Sequence, residues 1–181
     1  MDVDGLRSAI PGLRAGDHLL LSGGIYTARD AAHAELVRLR DLSMELPFRV
    51  DGAVIYYAGP TPGGSRPVGS CGPTTSGRMD SFTPWLYDGG LLATIGKGER
   101  SAIVRDAIVR NGGIYLCAVG GAGALIAKCV VGADEIAFPE LGCESIKRLT
   151  VRSMPLVVGI DCQGGDIFEL ARRNAQGIGF N

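Results

Sequence analysis

Short apolar runs alternate with segments of helical periodicity along most of the chain. The apolar runs are rich in aliphatic and β-branched residues, which predicts strands, and they lie at residues 18–22, 53–58, 91–95, 114–119, 136–138 and 156–160. The segments between them predict helices at residues 27–42, 81–87, 100–110, 120–130 and 144–148. Strands that alternate with helices favour a layered α/β fold around a central sheet.

Two short stretches predict a helix boundary and the type of sheet. Thr27 is expected to be the N-cap of the first predicted helix, because Asp30 follows three positions later in a variant of the capping box. Residues 163–165 (QGG) are interpreted as a hairpin turn before a last strand at residues 167–168. A hairpin adds an antiparallel strand, so we expect a mixed sheet rather than a purely parallel one.

The composition limits the classes of protein to which the chain can belong. Its 181 residues suffice for a sizeable core, and we predict a single domain over residues 1–181. The formal net charge is -1, so no strong positive field favours nucleic acid or an anionic membrane as a partner. The apolar runs are too short to span a bilayer and the first residues lack a signal-peptide pattern, so we expect a cytoplasmic protein.

The five cysteines do not form a metal-binding pattern. They are an odd number and no CxxC pair occurs among them, so a zinc or iron–sulfur site built by this chain alone is not expected. Cys117 and Cys129 are predicted to be small buried apolar residues. Cys71 differs from them because it lies in a loop that also carries candidate site residues.

That loop, residues 59–78, is the least regular part of the sequence. Sixteen of its twenty residues are Gly, Pro, Ser or Thr. A loop of this length within a compact domain is uncommon, and it is usually either functional or disordered. No Asp or Glu occurs between residues 52 and 79, whereas Arg66 and Arg78 do. Glycine-rich backbone and arginine are both suited to binding an anion.

Two further cations are predicted to lie near this loop. Arg29 falls in the first turn of a predicted helix, where free N–H groups and the helix dipole favour an anion. Lys97 stands between two glycines at the end of a predicted strand, which is the ligand-binding edge of α/β sheets. Together with Arg78 they predict a site for a small polyanion, either a carboxylate or a phosphate.

Simpler interpretations exist for several of these residues. Arg29 alone fits a solvated helix residue, and Lys97 fits an exposed turn lysine. The segment 120–123 (GGAG) lacks the lysine and the spacing of a P-loop, so we interpret it as allowing close packing of the next helix. His33, one turn after Arg29, fits a supporting role in the site or a structural role equally well.

Several stretches together resemble the beta subunit of class I, iron–sulfur dependent fumarate hydratases. In chain order they read GDHLLLSGGIYTARDAAH, IYYAGPTP, GSCGPTTSGRMD, IGKGER and YLCAVGGAGALIAK, and the resemblance covers roughly residues 10–170. The related L(+)-tartrate dehydratase beta subunit is similar. The resemblance implies a swivelling β/β/α domain that closes over a [4Fe-4S] cluster. It further implies that a separate alpha subunit, or an N-terminal domain, holds this cluster through three cysteines and leaves the fourth iron open to substrate.

The resemblance also implies roles for individual residues. Thr74, the first threonine of GPTT, is the implied catalytic base, and Arg29, Arg78 and Lys97 are the implied ligands of the substrate carboxylates. The remaining expected members of the site, none of them a metal ligand, are Thr75 and Gly72 for substrate binding, with His33 and Cys71 as candidate supporting residues.

These roles fit the dehydration of a 2-hydroxy dicarboxylate. Removal of a C–H proton next to a carboxylate gives an aci-carboxylate, whose extra negative charge preorganised Arg and Lys side chains stabilise. The open iron of the cluster would act as a Lewis acid on the leaving hydroxyl. A threonine is a weak base in water, so Thr74 needs a positive and dry environment to lose its proton.

The expected protein is therefore a beta subunit that interconverts malate and fumarate in a heterodimer or heterotetramer with a cluster-bearing alpha subunit. We expect it to be inactive alone. One alternative is a tartrate dehydratase or a hydratase of a methylated analogue, and another is a carboxylate-binding module without catalytic activity.

Overall fold

The computed structural model describes residues 1–119 and 121–177, which form a six-stranded mixed sheet with helices packed around it. The strands are β1 (His18–Thr27), β2 (Val54–Tyr56), β3 (Ala93–Gly96), β4 (Ile114–Cys117), β5 (Val130–Ala137) and β6 (Ile146–Ile160). The α-helices are α1 (Val3–Ala9), α2 (Asp30–Asp41), α3 (Pro84–Asp88), α4 (Ala102–Asn111), α5 (Gly123–Cys129) and α6 (Ile167–Gly177). Short 3-10 helices lie at Ile10–Gly12, Ser76–Met79 and Pro139–Glu144.

The sheet curls into a barrel of five strands. β1, β2, β3 and β4 are parallel neighbours in that order, and β6 pairs antiparallel with both β4 and β1, which closes the ring. β5 and β4 pair with the same edge of β6. β5 pairs with the first half of β6, and β4 pairs with its second half. The prediction of a layered α/β fold with a mixed sheet is confirmed, and the closure of the sheet is an additional finding.

Both faces of the parallel strands are buried. Val54 and Tyr56 point into one apolar cluster, which includes residues of α1, β1 and β6, whereas Ile55 points into a second cluster formed with α2, α3 and α4. Successive residues of a strand face opposite sides of a sheet, so burial of both sides requires an uninterrupted apolar run. This is why these strands are visible in the sequence.

The predicted hairpin at the C-terminal end of the sheet is wrong in part. The turn at residues 163–165 exists, since the N–H of Gly164 donates to Asp161 O and the N–H of Asp161 donates to Gly165 O. Residues 167–168, however, begin α6 instead of a strand. The cause is Asp166, whose side chain accepts hydrogen bonds from the backbone N–H groups of Phe168 and Glu169 and thereby caps the helix.

The predicted helix at 144–148 is also wrong, because β6 begins at Ile146 and runs for 15 residues. Only its last five residues, 156–160, were expected to be a strand. Charged residues such as Arg148 and Arg152 interrupt the apolar pattern of its first part and point to solvent. Backbone pairing with β1 and β5 determines the strand there. β5 likewise begins at Val130, earlier than the expected strand at 136–138.

Thr27 is not the N-cap that the capping-box pattern predicted. It is the last residue of β1, and α2 begins at Asp30. The Thr27 hydroxyl accepts a hydrogen bond from the N–H of Lys147 at 3.0 Å and donates to Ser145 O at 3.4 Å. Both of its hydrogen bonds are therefore made with the start of β6 and the residue before it, and not with α2. A glutamate from a distant segment, Glu144, supplies the acceptor for the N–H of Ala31 in the first turn of α2.

Two smaller features complete the fold. α3 starts at Pro84, three residues later than predicted, with Thr83 before it. Within residues 1–119 and 121–177, no helix has the length and apolar character that crossing a membrane requires.

Candidate active site

The segment after β2 leaves the carboxyl edge of the sheet and returns to it at Thr74. The N–H of Thr74 donates to Tyr57 O at 2.7 Å, and the N–H of Lys97 donates to Thr74 O at 3.2 Å. The N–H of Ser76 donates to Lys97 O at 2.8 Å, and Thr75 pairs with Lys97 in a parallel bridge. Both threonines are therefore held beside Lys97 at the carboxyl ends of β2 and β3, the edge at which α/β sheets bind ligands.

The loop that precedes Thr74 is folded on itself. Its two arms are joined by the N–H of Thr61, which donates to Ser70 O at 3.0 Å, and by the N–H of Gly69, which donates to Thr61 O at 2.8 Å. A Cβ atom at Gly69 would come within 2.6 Å of Pro62 O, and one at Gly63 within 2.8 Å of the Val68 carbonyl carbon. Glycine thus allows the two arms of this loop to pack closely against each other.

The close approach of the 74–76 segment to β3 depends on Gly96. A side chain at Gly96 would collide with Ser76 Oγ and come within 2.9 Å of the Tyr57 ring. Ser76 is buried, and its hydroxyl donates to Tyr115 OH at 2.9 Å, because the Tyr115 hydroxyl donates its own proton to Gly98 O at 2.8 Å. The first glycine of the GKG turn is therefore a packing requirement of the site.

Beneath this segment lies Arg100, a residue that the sequence did not single out. Its side chain is fully buried, and Nε donates to Asp80 Oδ1 at 2.7 Å. The other guanidinium donors bind the hydroxyl groups of Thr94 at 2.9 Å, Thr83 at 2.9 Å and Tyr57 at 3.3 Å. The second oxygen of Asp80 accepts from the N–H of residue 101 at the start of α4. In the sequence, the only feature that could have pointed to Arg100 was its place in the IGKGER motif.

Arg29 precedes α2 as its N-cap residue, and its guanidinium faces a carboxylate of the same chain. Nη2 lies 3.2 Å from Glu144 Oε1, and the Arg29 side chain is 22% exposed. A Cβ atom at Gly59 would come within 3.0 Å of Arg29 Nη1, so the arginine crosses the start of the loop at a residue without a side chain. The sequence predicted the cation at this helix terminus, but not its glutamate partner.

Arg78 forms a two-point contact with the first residue of α2. Its Nε donates to Asp30 Oδ1 at 3.0 Å, and Nη2 lies 2.8 Å from Asp30 Oδ2. This contact ties the 3-10 turn at Ser76–Met79 to α2. Lys97 is exposed, and no carboxylate lies within ion-pairing distance of it among the residues that the structure describes.

His33 is completely buried behind Arg29. Its Nδ1 lies 2.8 Å from Arg29 O, and since a carbonyl oxygen only accepts, Nδ1 carries the proton and donates. Burial lowers the pKa of His33 to about 4, against a backbone hydrogen bond to Arg29 that raises it. The ring is therefore neutral near pH 7 and fixes the backbone carbonyl of Arg29.

Cys71 and Gly72 anchor the loop to the start of α5. The N–H of Cys71 donates to Gly123 O at 3.1 Å, and Tyr56 OH donates to Cys71 O at 2.6 Å. A Cβ atom at Gly72 would lie 3.4 Å from the Gly123 Cα atom. The Cys71 side chain lies in the apolar core, and burial raises the pKa of its thiol to about 12, so it remains a neutral thiol.

The remaining cysteines do not build a cluster site. Cys117 and Cys129 are partly exposed, which corrects the expectation that they are buried, and Cys143 is exposed. Over residues 1–119 and 121–177, no three His, Cys, Asp or Glu side chains are grouped closely enough to hold a metal ion. The donor set of this part of the chain therefore does not fit a [4Fe-4S] cluster, which requires convergent thiolates.

The structure thus brings the expected site residues to one edge of the barrel in two groups. Thr74, Thr75 and Lys97 share the end of β3, while Arg29 and Arg78 share the start of α2. The turn at Ser76–Met79 connects the two groups. The two carboxylates among these cations, Asp30 and Glu144, were not expected from the sequence.

Comparison with known proteins places this arrangement in a family. The sequence model described as "Fumarase C-terminus" matches residues 1–171. The chain is 44% identical over 155 residues to the anaerobic class I fumarate hydratase of Escherichia coli (strain K12), covering 83% of this chain and 28% of that protein. It is 38% identical over 170 residues to fumarate hydratase 2 of Leishmania major, covering 92% of this chain and 30% of that protein.

A third relative has a length similar to that of this chain. The putative L(+)-tartrate dehydratase subunit beta of Methanocaldococcus jannaschii is 37% identical over 164 residues, which cover 87% of this chain and 84% of that protein. By contrast, the chain matches less than a third of the length of the two fumarate hydratases. The match of the family model over nearly the whole chain shows that this protein belongs to the Fumarase C-terminus family.

Proposed function

We propose that this chain is the beta subunit of a [4Fe-4S]-dependent hydro-lyase that interconverts (S)-malate and fumarate plus water. The observation that carries the proposal is the placement of Thr74 beside Lys97, with Arg29 and Arg78 at the adjacent start of α2. The similarity to class I fumarate hydratases supports the choice of reaction.

In this proposal the three cations bind the two carboxylates of the substrate. The side chains of Arg29, Arg78, Lys97, Asp30 and Glu144 carry a formal sum of one positive charge, and a dicarboxylate brings two negative charges. Arginine offers planar donor pairs that match a carboxylate, and Lys97 offers a charge without a carboxylate neighbour in the described residues.

Thr74 Oγ1 is the proposed base for the C–H proton. Thr74 acts as its alkoxide, after its hydroxyl proton has passed to solvent. The proton then moves from the substrate carbon to Oγ1, and the electron pair left behind forms the aci-carboxylate, which the cations stabilise. Thr75 and the backbone of Gly72 contribute further contacts of the loop with the substrate. The electron pair then returns to form the C=C bond as the C–OH bond breaks and the hydroxyl group leaves. A cluster on the partner chain would supply the Lewis acid for that departure, and no residue of this chain is assigned to it.

The cluster is proposed to belong to a partner chain, because the described cysteines of this chain do not converge. A cluster-bearing alpha subunit fits the length relation, since the matched fumarate hydratases are more than three times longer than the aligned region. The complex is expected to be a heterodimer or heterotetramer in the cytoplasm, and this chain is expected to be inactive alone.

A second candidate substrate is L(+)-tartrate. The relative of nearly the same length is named as a subunit beta of a putative L(+)-tartrate dehydratase. Malate and tartrate differ by one hydroxyl group, which a few contacts in the pocket can distinguish.

The test is an anaerobic reconstitution. The chain is co-expressed with a candidate cluster-bearing alpha chain, the cluster is rebuilt, and fumarate formation from malate is followed beside oxaloacetate formation from tartrate. Malate turnover that requires both chains supports the proposal, and tartrate turnover alone moves the assignment to the second candidate. A stable complex with an intact cluster and no turnover of either compound overturns both, and leaves a carboxylate-binding module as the function to test.

A further inference from the structure

Four side chains of alternating charge form a row at the start of α2. Glu144 Oε1 lies 3.2 Å from Arg29 Nη2, Arg29 Nη2 lies 4.0 Å from Asp30 Oδ2, and Asp30 Oδ2 lies 2.8 Å from Arg78 Nη2. The outer members come from separate 3-10 segments, Pro139–Glu144 and Ser76–Met79. The row therefore links three distant parts of the chain at the proposed substrate site.

Glu144 is fixed in this row independently of Arg29. Its second oxygen, Oε2, accepts a hydrogen bond at 3.1 Å from the N–H of Ala31, one of the free donors in the first turn of α2. The carboxylate also lies at the positive end of the helix dipole, and its side chain is only 22% exposed. Glu144 is thus held by the helix terminus and is a stationary partner for the arginine.

Glu144 leaves most of the Arg29 donors free. A guanidinium has five N–H groups, and the contact with Glu144 uses only Nη2. Nε of Arg29 is buried and has no hydrogen-bond partner among the described residues. Nη1 lies next to Gly59, the first residue of the loop 59–78. The glutamate therefore constrains one side of the guanidinium and leaves donors on its other sides.

We propose that Glu144 is the positioning residue of Arg29. It holds the guanidinium in the orientation that binds a substrate carboxylate, so that little side-chain freedom is lost when the substrate binds. This inference rests on the proposed function, because it concerns the same carboxylate-binding site. It adds a residue from the segment before β6, which does not itself contact the substrate, to the determinants of substrate affinity.

The variant Glu144→Gln tests this role in the reconstituted two-chain enzyme. The glutamine oxygen still accepts from Ala31, but its amide group then faces Arg29 with donors instead of a charge. We expect KM for malate to rise about tenfold, the size of one charge-assisted hydrogen bond, with kcat changing less. The matched control is Glu140→Gln, on an exposed residue of the same 3-10 segment, which should leave KM unchanged.

A second readout uses the 181-residue chain without its partner. Slow rotation of the Arg29 guanidinium in ¹⁵N NMR reports that its position is fixed, and we expect this signal to be lost in Glu144→Gln and kept in Glu140→Gln. Absence of turnover in the unmutated complex would overturn the proposed function. Turnover in that complex combined with an unchanged KM in Glu144→Gln would overturn the positioning role alone. A lowered KM would overturn it as well, since Glu144 would then be a competitor of the substrate.

Discussion

Two arginine–aspartate pairs involve the short turn at Ser76–Met79, one through Arg78 and the other through Asp80, the residue after the turn. Arg100 and Asp80 form the inner pair, whose side chains are 0% and 13% exposed. Arg78 and Asp30 form the outer pair, whose side chains are 52% and 32% exposed. The contact distances are similar, but the surroundings of the two pairs are different.

The two pairs use the same chemistry at different degrees of burial. The inner arginine gives four of its five N–H donors to Asp80 and to three hydroxyl groups, and its side chain is fully buried, so it does not face a ligand. The outer arginine shares its charge with one carboxylate and faces water. A buried pair is hard to replace because the partner left behind stays uncompensated, whereas an exposed pair adds little stability. The inner pair therefore holds the turn, and the outer pair is the one exposed enough to take the proposed part in substrate binding.

The largest expected effect is on the inner pair. Arg100→Met leaves the Asp80 carboxylate without its partner, and the free energy of unfolding should fall by about 3–5 kcal/mol. Urea denaturation of the chain measures this change. Arg78→Met is the matched control and should change it by less than about 1 kcal/mol. Equal losses in the two variants would show that burial does not distinguish the pairs.

The second effect concerns Thr74, which lies two residues before the turn at Ser76–Met79. Thr74→Val keeps the size of the side chain and removes the hydroxyl, so turnover in the reconstituted complex should fall by about 100-fold or more, as for loss of a general base. Thr150→Val makes the same substitution at an exposed position of β6, and this control should leave turnover unchanged. A Thr74→Val enzyme with substantial dehydration activity would show that Thr74 is not the base.

A smaller effect on turnover is expected for the outer pair. Arg78→Ala removes a proposed carboxylate ligand, and kcat/KM for malate should fall about 30-fold, within the range of a hydrogen bond between charged groups. The unfolding midpoint in urea should remain close to that of the unmodified chain. Activity near the unmodified value would remove Arg78 from the site, and a large loss of stability would place it with Arg100.

The last expected effect, and the smallest per pH unit, is a pH dependence from His33. Its pKa is lowered by burial from 6.5 to about 4, so below pH 6.5 the unfolded chain binds a proton that the folded chain does not. The free energy of unfolding should therefore fall as the pH drops from 6.5 towards 4, by at most about 1.4 kcal/mol per pH unit. Above pH 6.5 this contribution does not change.

Urea denaturation between about pH 7 and about pH 5 measures this slope in three proteins. His33→Asn keeps a donor near the Nδ1 position and should lose the slope, whereas His18→Asn, at an exposed residue, should keep it. An unchanged slope in His33→Asn would contradict the assignment.

The sequence allowed the parallel strands to be predicted, but not the greater part of the long antiparallel strand β6. β2, β3 and β4 are buried on both faces, so their apolar runs stand out locally. β6 has exposed arginines in its first half, and its partners β1 and β5 are set by pairing across the whole fold. Pairing of that kind leaves no local pattern in the chain.

The candidate site shows the same contrast between features that are local in the sequence and features that depend on folding. The sequence singled out Thr74 and Arg78 through the unusual length of the glycine-rich loop, and Arg29 and Lys97 through their places at a predicted helix start and strand end. The partners of the cations were missed, since Asp30 and Glu144 are ordinary acidic residues until folding brings them to Arg78 and Arg29. Arg100 was missed because burial of a charged side chain cannot be read from its neighbours in sequence.

The closed ring of strands has a consequence for how the molecule is made. β1 pairs with β2, which follows it closely in the chain, but its antiparallel partner is β6, and His18 pairs with the distant Val157. Closing so large a loop is slow, because entropy is lost before the contacts form. On the ribosome, the early strands therefore have an unpaired edge for most of translation, which is the period in which chaperone binding would protect them.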